Sequence, residues 1–337
     1  MTLAERTLAR VRPVLGGRWT DRIRGNLPSR KPQLWERPVL SLYRRAQIAL
    51  RSRFDPEWEG RKVTVRLRDS DLAMEVTPGN RDIDLPLFQF GVYEMSGTRF
   101  VQAFLESGMT FIDVGANSGY YSLLASRMVG QAGHVYALEP VDGPFLKLQR
   151  NIELNRVKNV TALQLAVGSR IGCSQLYSSN VDRNDGLGSL VPGADREARG
   201  QEVALSTLEE ITGALSGGSA HLVKIDVEGT ELDVLAGGQA LLSRSGAPAL
   251  LFESFSVESV CRLLTAFGYD VRHVHFSLAR GLEFPKVGEP FDNCFADYEP
   301  PNYAALKLSD GDQTFESLST RSRHRIHPLL RLLSDLA

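Results

Sequence analysis

The stretch Phe111-Ile-Asp-Val-Gly-Ala-Asn-Ser-Gly119 decides the fold that we predict for this chain. A short apolar strand ends at Asp113, and a glycine-rich turn then opens directly into a helix predicted over 119–128. In open α/β sheets, ligands bind at the carboxyl ends of the strands, where such turns lie. Gly115 and Gly119 lack a Cβ, so we expect a ligand to approach the backbone closely at these two residues.

Strands and helices continue to alternate after this turn. We predict later strands at 134–138, 160–167, 222–227, 249–253 and 271–276, with helices at 144–155, 230–243 and 257–267. Strands that alternate with helices at this spacing predict a mostly parallel, doubly wound, Rossmann-like α/β sheet that is covered on both faces. A last strand at 303–308 is predicted to be the antiparallel edge of that sheet.

The residues before the turn predict a β-hairpin over 62–76 and a helix over 94–107. Further upstream, short amphipathic fragments are separated by Gly and Pro, which indicates a helical extension without its own core. We therefore divide the chain into a basic, mainly helical extension, a hairpin and helix that lead into the core, the α/β domain, and a C-terminal tail: 1–60, 61–108, 109–310 and 311–337.

Charge is distributed unevenly along the chain, whose net charge is −1. Residues 1–53 contain 13 Lys and Arg against 3 Asp and Glu, a balance of +10, whereas the rest contains 26 against 37. The basic segment is either a solvated extension or a weak peripheral contact with an anionic membrane. Nucleic acid is not an expected partner, because the α/β domain is net acidic and its basic and aromatic residues do not interleave.

The three cysteines, Cys173, Cys261 and Cys294, are scattered and odd in number. A disulfide framework or a zinc site is therefore not expected. The chain also has no long uncharged apolar run and no apolar N-terminal signal, so neither a membrane-spanning helix nor secretion is expected. These features together predict a protein of the reducing cytoplasm.

The spacing of the glycine turn distinguishes between two cofactors. It is Asp-x-Gly-x-x-x-Gly, whereas a dinucleotide site uses Gly-x-Gly-x-x-Gly to bind pyrophosphate at the start of the helix. Asp113 would repel pyrophosphate but suits S-adenosylmethionine, which carries a sulfonium and an amino group. Glu139 ends the second strand, where an acid can accept hydrogen bonds from both ribose hydroxyls of an adenosine ligand.

A second group of charged residues ends a later predicted strand. Strand alternation places Lys224, Asp226 and Glu228 on one side, and Glu253 ends the following strand. Carboxylates in this position orient a substrate hydroxyl, act as a base or hold a divalent cation through oxygen ligands. An internal Lys–Asp ion pair is the structural alternative. His275, on the strand predicted after these, is a further candidate base.

Taken together, these motifs resemble those of the FkbM family of methyltransferases. The resemblance covers residues 90–280 and depends on these segments: 91–94, 112–119, 139–140 with Asn151 and Asn155, 166–168, and 224–231. It implies a class I methyltransferase fold that transfers a methyl group from S-adenosylmethionine to an oxygen. The acceptor that it implies is a hydroxyl of a polyketide, a sugar or another glycan.

The resemblance also implies roles for single residues. Four of them would line the methionine end of the donor: Asp113, Gly115, Asn117 and Gly119. Glu139 would hold the ribose, while Asp226 and Glu228 would face the acceptor. The chain departs from the family pattern at Ser169-Arg170, where members often have an acid, and this leaves the contacts to adenine open.

We therefore expect an S-adenosylmethionine-dependent O-methyltransferase that acts on a hydroxyl of a sugar, glycan or secondary metabolite. Asp226 or Glu228 would take the hydroxyl proton, and a divalent cation is the alternative, with no residue assigned to it. Two other functions stay open, a nicotinamide-dependent oxidoreductase on the same sheet and a non-catalytic module that retains the fold for binding. The missing third glycine argues against the first, and the intact acids argue against the second.

Overall fold

The structure is a computed structural model that describes most of the α/β domain and its approach. The described residues are 61–68, 70–78, 83–178, 188–190, 201–215, 219–227, 229–254, 256–277, 280–289, 291, 301–307 and 314–324. The predictions for the extension 1–60 lie outside these residues.

The described strands and helices follow the alternation that the sequence predicts. The strands are β1 (Val63–Arg66), β2 (Ala73–Val76), β3 (Thr110–Val114), β4 (His134–Leu138), β5 (Val160–Leu163), β6 (Ala166–Val167), β7 (Gly172–Ser178), β8 (Gly188–Ser189), β9 (Gln201–Ser206), β10 (Leu222–Ile225), β11 (Ala249–Glu253), β12 (Tyr269–Ser277), β13 (Gly281–Glu283) and β14 (Asn302–Lys307). The helices are α1 (Asp84–Phe90), α2 (Met95–Phe104), α3 (Tyr120–Val129), α4 (Asp142–Asn155), α5 (Leu208–Gly213), α6 (Glu231–Ala236), α7 (Gln239–Ser243), α8 (Val257–Ala266) and α9 (Phe315–His324).

Eight strands form the central sheet, in the spatial order β13-β12-β14-β11-β10-β3-β4-β5. From β5 to β11 all neighbouring strands are parallel, and β14 is antiparallel to both β11 and β12. Within the central sheet, the chain enters at β3 and continues outward through β4 to β5. It then returns to β10, which lies on the other side of β3. The carboxyl ends of β3 and β10 therefore form the switch point where ligands bind in open α/β sheets. The predicted doubly wound, mostly parallel sheet is confirmed.

The prediction of an antiparallel last strand is confirmed, but the prediction that it is an edge strand is wrong. β14 lies between β11 and β12, and β13 is the antiparallel strand at that edge of the sheet. Residues from Tyr303 to Leu306 are buried on both faces of the sheet. A strand whose successive residues are all apolar is typical of a sheet interior, and chain order alone did not reveal this position.

Two predicted elements are divided in the structure. The strand predicted at 160–167 is two strands that belong to different sheets. β5 is an edge strand of the central sheet, whereas β6 is an edge strand of a second sheet with the order β6-β9-β7-β8. The helix predicted at 230–243 is α6 and α7, which are separated at Gly237 and Gly238. A Cβ on Gly237 would lie 2.0 Å from the carbonyl oxygen of Gly168, so the close approach of the β6 region requires a glycine there.

Hydrophobic side chains pack on both faces of the central sheet. On one face, Phe111 of β3 and Leu251 of β11 belong to a cluster with the hairpin β1–β2 and helices α1, α2, α3 and α9. On the other face, Ile112 and Leu250 belong to a cluster with α5, α6, α7 and α8. Alternation along the strands therefore places Asp113, Lys224 and Glu253 on the face of Phe111 and Leu251, under α2 and α3.

Within the described part of the chain, no helix is long and apolar enough to cross a membrane.

Candidate active site

The glycine turn after β3 is shaped by contacts within the protein. Gly115 has φ 81° and Gly119 has φ 92°, a left-handed conformation that favours glycine. A Cβ on Gly115 would lie 1.9 Å from the carbonyl oxygen of Asp226, and one on Gly119 would lie 2.5 Å from Leu148 Cδ1. We expected a ligand to need this space, but protein atoms fill it. The turn is therefore packed directly against the end of β10 and against α4.

Glu139 holds the other side of the same turn. Its Oε2 accepts a hydrogen bond of 2.8 Å from the backbone N–H of Asn117, and its Oε1 accepts one of 2.8 Å from that of Val141. Asn117 has φ 49°, and its Oδ1 accepts a bond of 2.7 Å from the N–H of Ser118. Each carboxylate oxygen has a further lone pair, so Glu139 can still accept hydrogen bonds from two ribose hydroxyls.

Burial has a strong effect on Glu139, which is 5% exposed. Burial raises the pKa of its carboxyl group to about 7, and the nearby charges of Asp113 and Asp226 add to the increase. The two backbone N–H groups lower the pKa and offset only part of it. Glu139 therefore changes its charge near neutral pH.

Asp113 lies inside the protein at the end of β3. Its Oδ2 accepts a hydrogen bond of 2.6 Å from Ser122 Oγ of α3, and its Oδ1 is buried with no hydrogen-bond donor among the described residues. Burial raises the pKa of this carboxyl group, although the Lys224 ammonium acts in the opposite direction. Its predicted role at the methionine end of the donor stays a prediction.

Lys224 and Asp226 form the ion pair that strand alternation suggested. Lys224 Nζ donates to Asp226 Oδ2 at 2.6 Å and lies 4.4 Å from the centroid of the Tyr121 ring. The Lys224 side chain is 2% exposed, whereas that of Asp226 is 35% exposed. Burial by itself would lower the pKa of Lys224, but the surrounding carboxylates outweigh it and raise that pKa. Asp226 is thus held by a buried ammonium group while its own side chain reaches solvent.

Glu94 is the site residue that the sequence analysis missed. It precedes α2 with φ 42°, an uncommon conformation for a residue other than glycine, and its side chain is buried. Its Oε2 accepts a hydrogen bond of 2.8 Å from Tyr121, and its Oε1 has no donor among the described residues. The segment 91–94 was part of the family resemblance, and this was the available signal. An acid directly before a helix is commonly a helix cap, so the pattern alone did not indicate a site.

Three carboxylates converge at the carboxyl ends of the strands. Oxygens of Glu94, Asp226 and Glu253 can all lie within 4.8 Å of one another. Burial raises the pKa of Glu253 well above its usual range, and the charges of Glu94 and Asp226 and a hydrogen bond with Glu94 add to the effect. Such an oxygen set suits a hard divalent cation, and these three residues are the ones that would hold it. The Lys224 ammonium already supplies one positive charge to this acid cluster, by which we mean Glu94, Asp226 and Glu253.

His275, another of the predicted catalytic residues, is not brought to this cluster. His275 follows Val274 on β12, and Val274 belongs to the hydrophobic cluster on the face of α2. The His275 ring therefore points to the opposite face, where its centroid is 5.6 Å from that of Phe291. Glu228 lies outside the described residues.

Comparison with known proteins supports the same family. Residues 113–271 match the model of the Methyltransferase FkbM domain. Methyltransferase 1 of Beauveria bassiana is 30% identical over 146 residues, which cover 37% of this chain and 57% of that protein. Methyltransferase sdnD of Sordaria araneosa is 33% identical over 161 residues, which cover 40% of this chain and 61% of that protein. The matched part thus spans little more than half the length of these two relatives.

Two methyltransferases are among the solved structures to which this chain is similar. A SAM-dependent O-methyltransferase from Thermotoga maritima has a TM-score of 0.37 and 12% identity, and the match covers 76% of this chain and 80% of that chain. The precorrin-6y C5,15-methyltransferase of Geobacter metallireducens has a TM-score of 0.39 and 13% identity, and the match covers 72% and 97%. The fold assignment itself depends on the central sheet, whose doubly wound, mostly parallel arrangement agrees with the Rossmann-like sheet that the sequence predicted.

Proposed function

We propose that this chain, whose residues 113–271 match the Methyltransferase FkbM domain, is a methyltransferase of the FkbM family. We propose that it transfers a methyl group from S-adenosylmethionine to a hydroxyl oxygen of a sugar, glycan or secondary metabolite. The observation that carries the proposal is the position of Asp226. Its carboxylate belongs to the acid cluster, and its backbone oxygen packs against Gly115 of the glycine turn. A donor held by that turn and an acceptor at the acid cluster would therefore be neighbours.

The residues near the turn fit S-adenosylmethionine. When bound, this cofactor supplies a methyl group on a positively charged sulfur. Asp113, Glu139 and Asp226 are acids within this region, and their combined charge favours a cationic ligand over a pyrophosphate. Glu139 would hold the ribose through its remaining lone pairs, and the backbone of residues 115–119 would line the methionine end.

The protein must also remove a proton from the acceptor. A sugar or alkyl hydroxyl is too weak an acid to ionise by itself, so a base close to the reacting oxygen is required. Lys224 Nζ is hydrogen-bonded to Asp226 Oδ2, which orients the carboxylate and leaves Oδ1 for the acceptor hydroxyl. Asp226 is therefore our first choice for this base, and Glu228 is the second. A divalent cation held by the acid cluster is the alternative way to lower the pKa of the hydroxyl.

Ligand binding and product analysis test this proposal together. Purified protein should bind S-adenosylhomocysteine in calorimetry. It should also convert S-adenosylmethionine to that product in the presence of hydroxyl acceptors such as methyl glycosides, secondary alcohols and catechol. Binding of a reduced nicotinamide cofactor in place of S-adenosylhomocysteine would favour the oxidoreductase. Donor binding without methyl transfer to any hydroxyl, thiol or amine acceptor would favour the non-catalytic module.

The cysteines and the basic residues 1–53 suggest where the protein works in the cell. We propose that the protein is cytoplasmic, because Cys173 and Cys261 are free thiols and suit a reducing compartment. The charge balance of +10 in residues 1–53 favours weak contact with an anionic membrane face. Sedimentation with anionic liposomes should then decrease at high salt and disappear in a variant that begins at Asp55. Equal, negligible sedimentation of both proteins would leave the segment as a solvated extension.

A further inference from the structure

Asn151 of α4 is a buried residue whose side chain joins two separate parts of the chain. Its Oδ1 accepts a hydrogen bond of 2.8 Å from the backbone N–H of Glu75 in β2. Its Nδ2 donates a bond of 2.9 Å to the backbone carbonyl of Ser118 in the glycine turn. The side chain is fully buried, so neither bond is readily replaced by water.

Other residues of α4 support either the turn or the approach segment. Leu148 packs beside Gly119, where a Cβ would lie 2.5 Å from Leu148 Cδ1. Lys147 forms an ion pair with Asp84 of α1. Asn155 binds the hairpin twice, because its Oδ1 accepts from the N–H of Ala73 at 2.8 Å and its Nδ2 donates to the Ala73 carbonyl at 2.7 Å. Asn151 differs from these residues because its side chain is hydrogen-bonded both to the hairpin and to the glycine turn.

The bond to Ser118 places Asn151 next to the donor-binding residues. Ser118 follows Asn117, whose N–H donates to Glu139. A continuous series of hydrogen bonds and covalent links thus runs from Glu75 in the hairpin, through Asn151 and the turn, to Glu139. Hydrogen bonds between buried groups hold those groups in one arrangement.

We propose that Asn151 is a positioning residue for the donor, and that the hairpin β1–β2 supports the donor site through it. The hairpin lies before residue 113, where the match to the family model begins. This inference rests on the proposed function, because it takes residues 115–119 and Glu139 to be the donor site. Asn151 itself is not expected to touch the donor.

The variants Asn151→Ala and Asn155→Ala form a matched pair that tests this inference. Both remove hydrogen bonds to the hairpin, so ligand-free thermal unfolding should shift to lower temperature in both. Only Asn151→Ala removes a bond to the turn. Calorimetry should therefore show about tenfold weaker binding of S-adenosylhomocysteine for Asn151→Ala and a change within about twofold for Asn155→Ala. Equal losses of affinity in the two variants would overturn the inference.

Hydrogen exchange on the wild-type protein gives a second test that requires no variant to fold. Saturating S-adenosylhomocysteine should slow amide exchange in peptides that cover 115–119 and also in peptides that cover 63–76. Protection of the turn with unchanged exchange in the hairpin would overturn the inference and leave the proposed function intact. Failure of the wild-type protein to bind S-adenosylhomocysteine at all would instead overturn the proposed function, and the inference with it.

Discussion

The proposed donor side and the proposed acceptor side of the site are built in different ways. On the proposed donor side, Asn117 and Glu139 lie 22 residues apart and follow the neighbouring strands β3 and β4, and backbone N–H groups make the contacts that hold them. On the acceptor side, the side chains of Glu94, Asp226 and Glu253 come from before α2, after β10 and from the end of β11. The proposed donor side thus has its hydrogen bonds within one strand–helix–strand unit, whereas the proposed acceptor side joins three segments that are distant in sequence. Variants on the two sides should therefore affect different steps.

The largest effect is expected for Asp226→Asn. The amide cannot take a proton, so turnover should fall by two or more decades, which is roughly the contribution of a general base. Affinity for S-adenosylhomocysteine, which lacks the sulfonium charge, should change little, because Glu139 and the turn are intact. The measurements are single-turnover rates on an acceptor from the panel and the Kd for S-adenosylhomocysteine. Normal turnover in this variant would remove Asp226 as the base, and sensitivity to a chelator would then point to a cation.

Glu139→Ala is expected to have the next largest effect, on donor binding alone. Loss of a charged contact with the ribose should weaken binding of S-adenosylhomocysteine by on the order of 2 kcal/mol, roughly 30-fold. The rate at saturating donor should stay near that of the wild-type protein. If that rate falls as much as the affinity, donor binding and methyl transfer do not depend on separate groups of residues.

The pH dependence of donor binding follows from the pKa of about 7 at Glu139. The ionised carboxylate accepts hydrogen bonds better than the neutral acid, so affinity should fall by up to about tenfold per pH unit below pH 7. Stability of the ligand-free protein should show the opposite trend. Because the folded pKa lies above the ordinary value of 4.5, this contribution is fully present below pH 4.5 and is lost as the pH rises through 7.

Glu139→Gln is the control for that pH dependence, because its side chain does not titrate. Calorimetry between pH 6 and pH 8 should give a flat profile for this variant. An unchanged slope in Glu139→Gln would assign the titration to another group, and the acid cluster would be the first place to look.

The smallest effect is expected for Tyr121→Phe, with Tyr120→Phe as its matched control. Tyr121 donates to Glu94 of the acid cluster, whereas the Tyr120 hydroxyl pairs with Thr98 at 2.9 Å outside it. Each variant should lose about 1 kcal/mol of unfolding free energy. Only Tyr121→Phe should change the KM for the acceptor, by a few-fold, with donor affinity unchanged. Equal acceptor kinetics in the two variants would argue against a role for Glu94.

The difference between the two sides also explains what could be predicted. Strand–turn–helix order and the spacing of Asp113, Gly115 and Gly119 are local, so the α/β fold and the glycine turn followed from sequence pattern. We predicted that the glycines leave room for a ligand, but the space beside them is filled by Leu148 and the Asp226 carbonyl. The local sequence pattern did not reveal this, because both groups come from distant parts of the chain. His275 was a plausible base by residue type, but its face of β12 became known only from the packing.

The sequence by itself determined the alternation of strands and helices, the glycine turn and the acids that end the strands, because each depends on neighbours a few residues away. Only the tertiary structure decided the interior position of β14, the burial of Glu94 beside Tyr121, and the link through Asn151 between the hairpin and the turn. The physical reason is that side-chain direction and burial depend on which strands and helices pack together. That packing is a property of the whole chain, and no single segment encodes it.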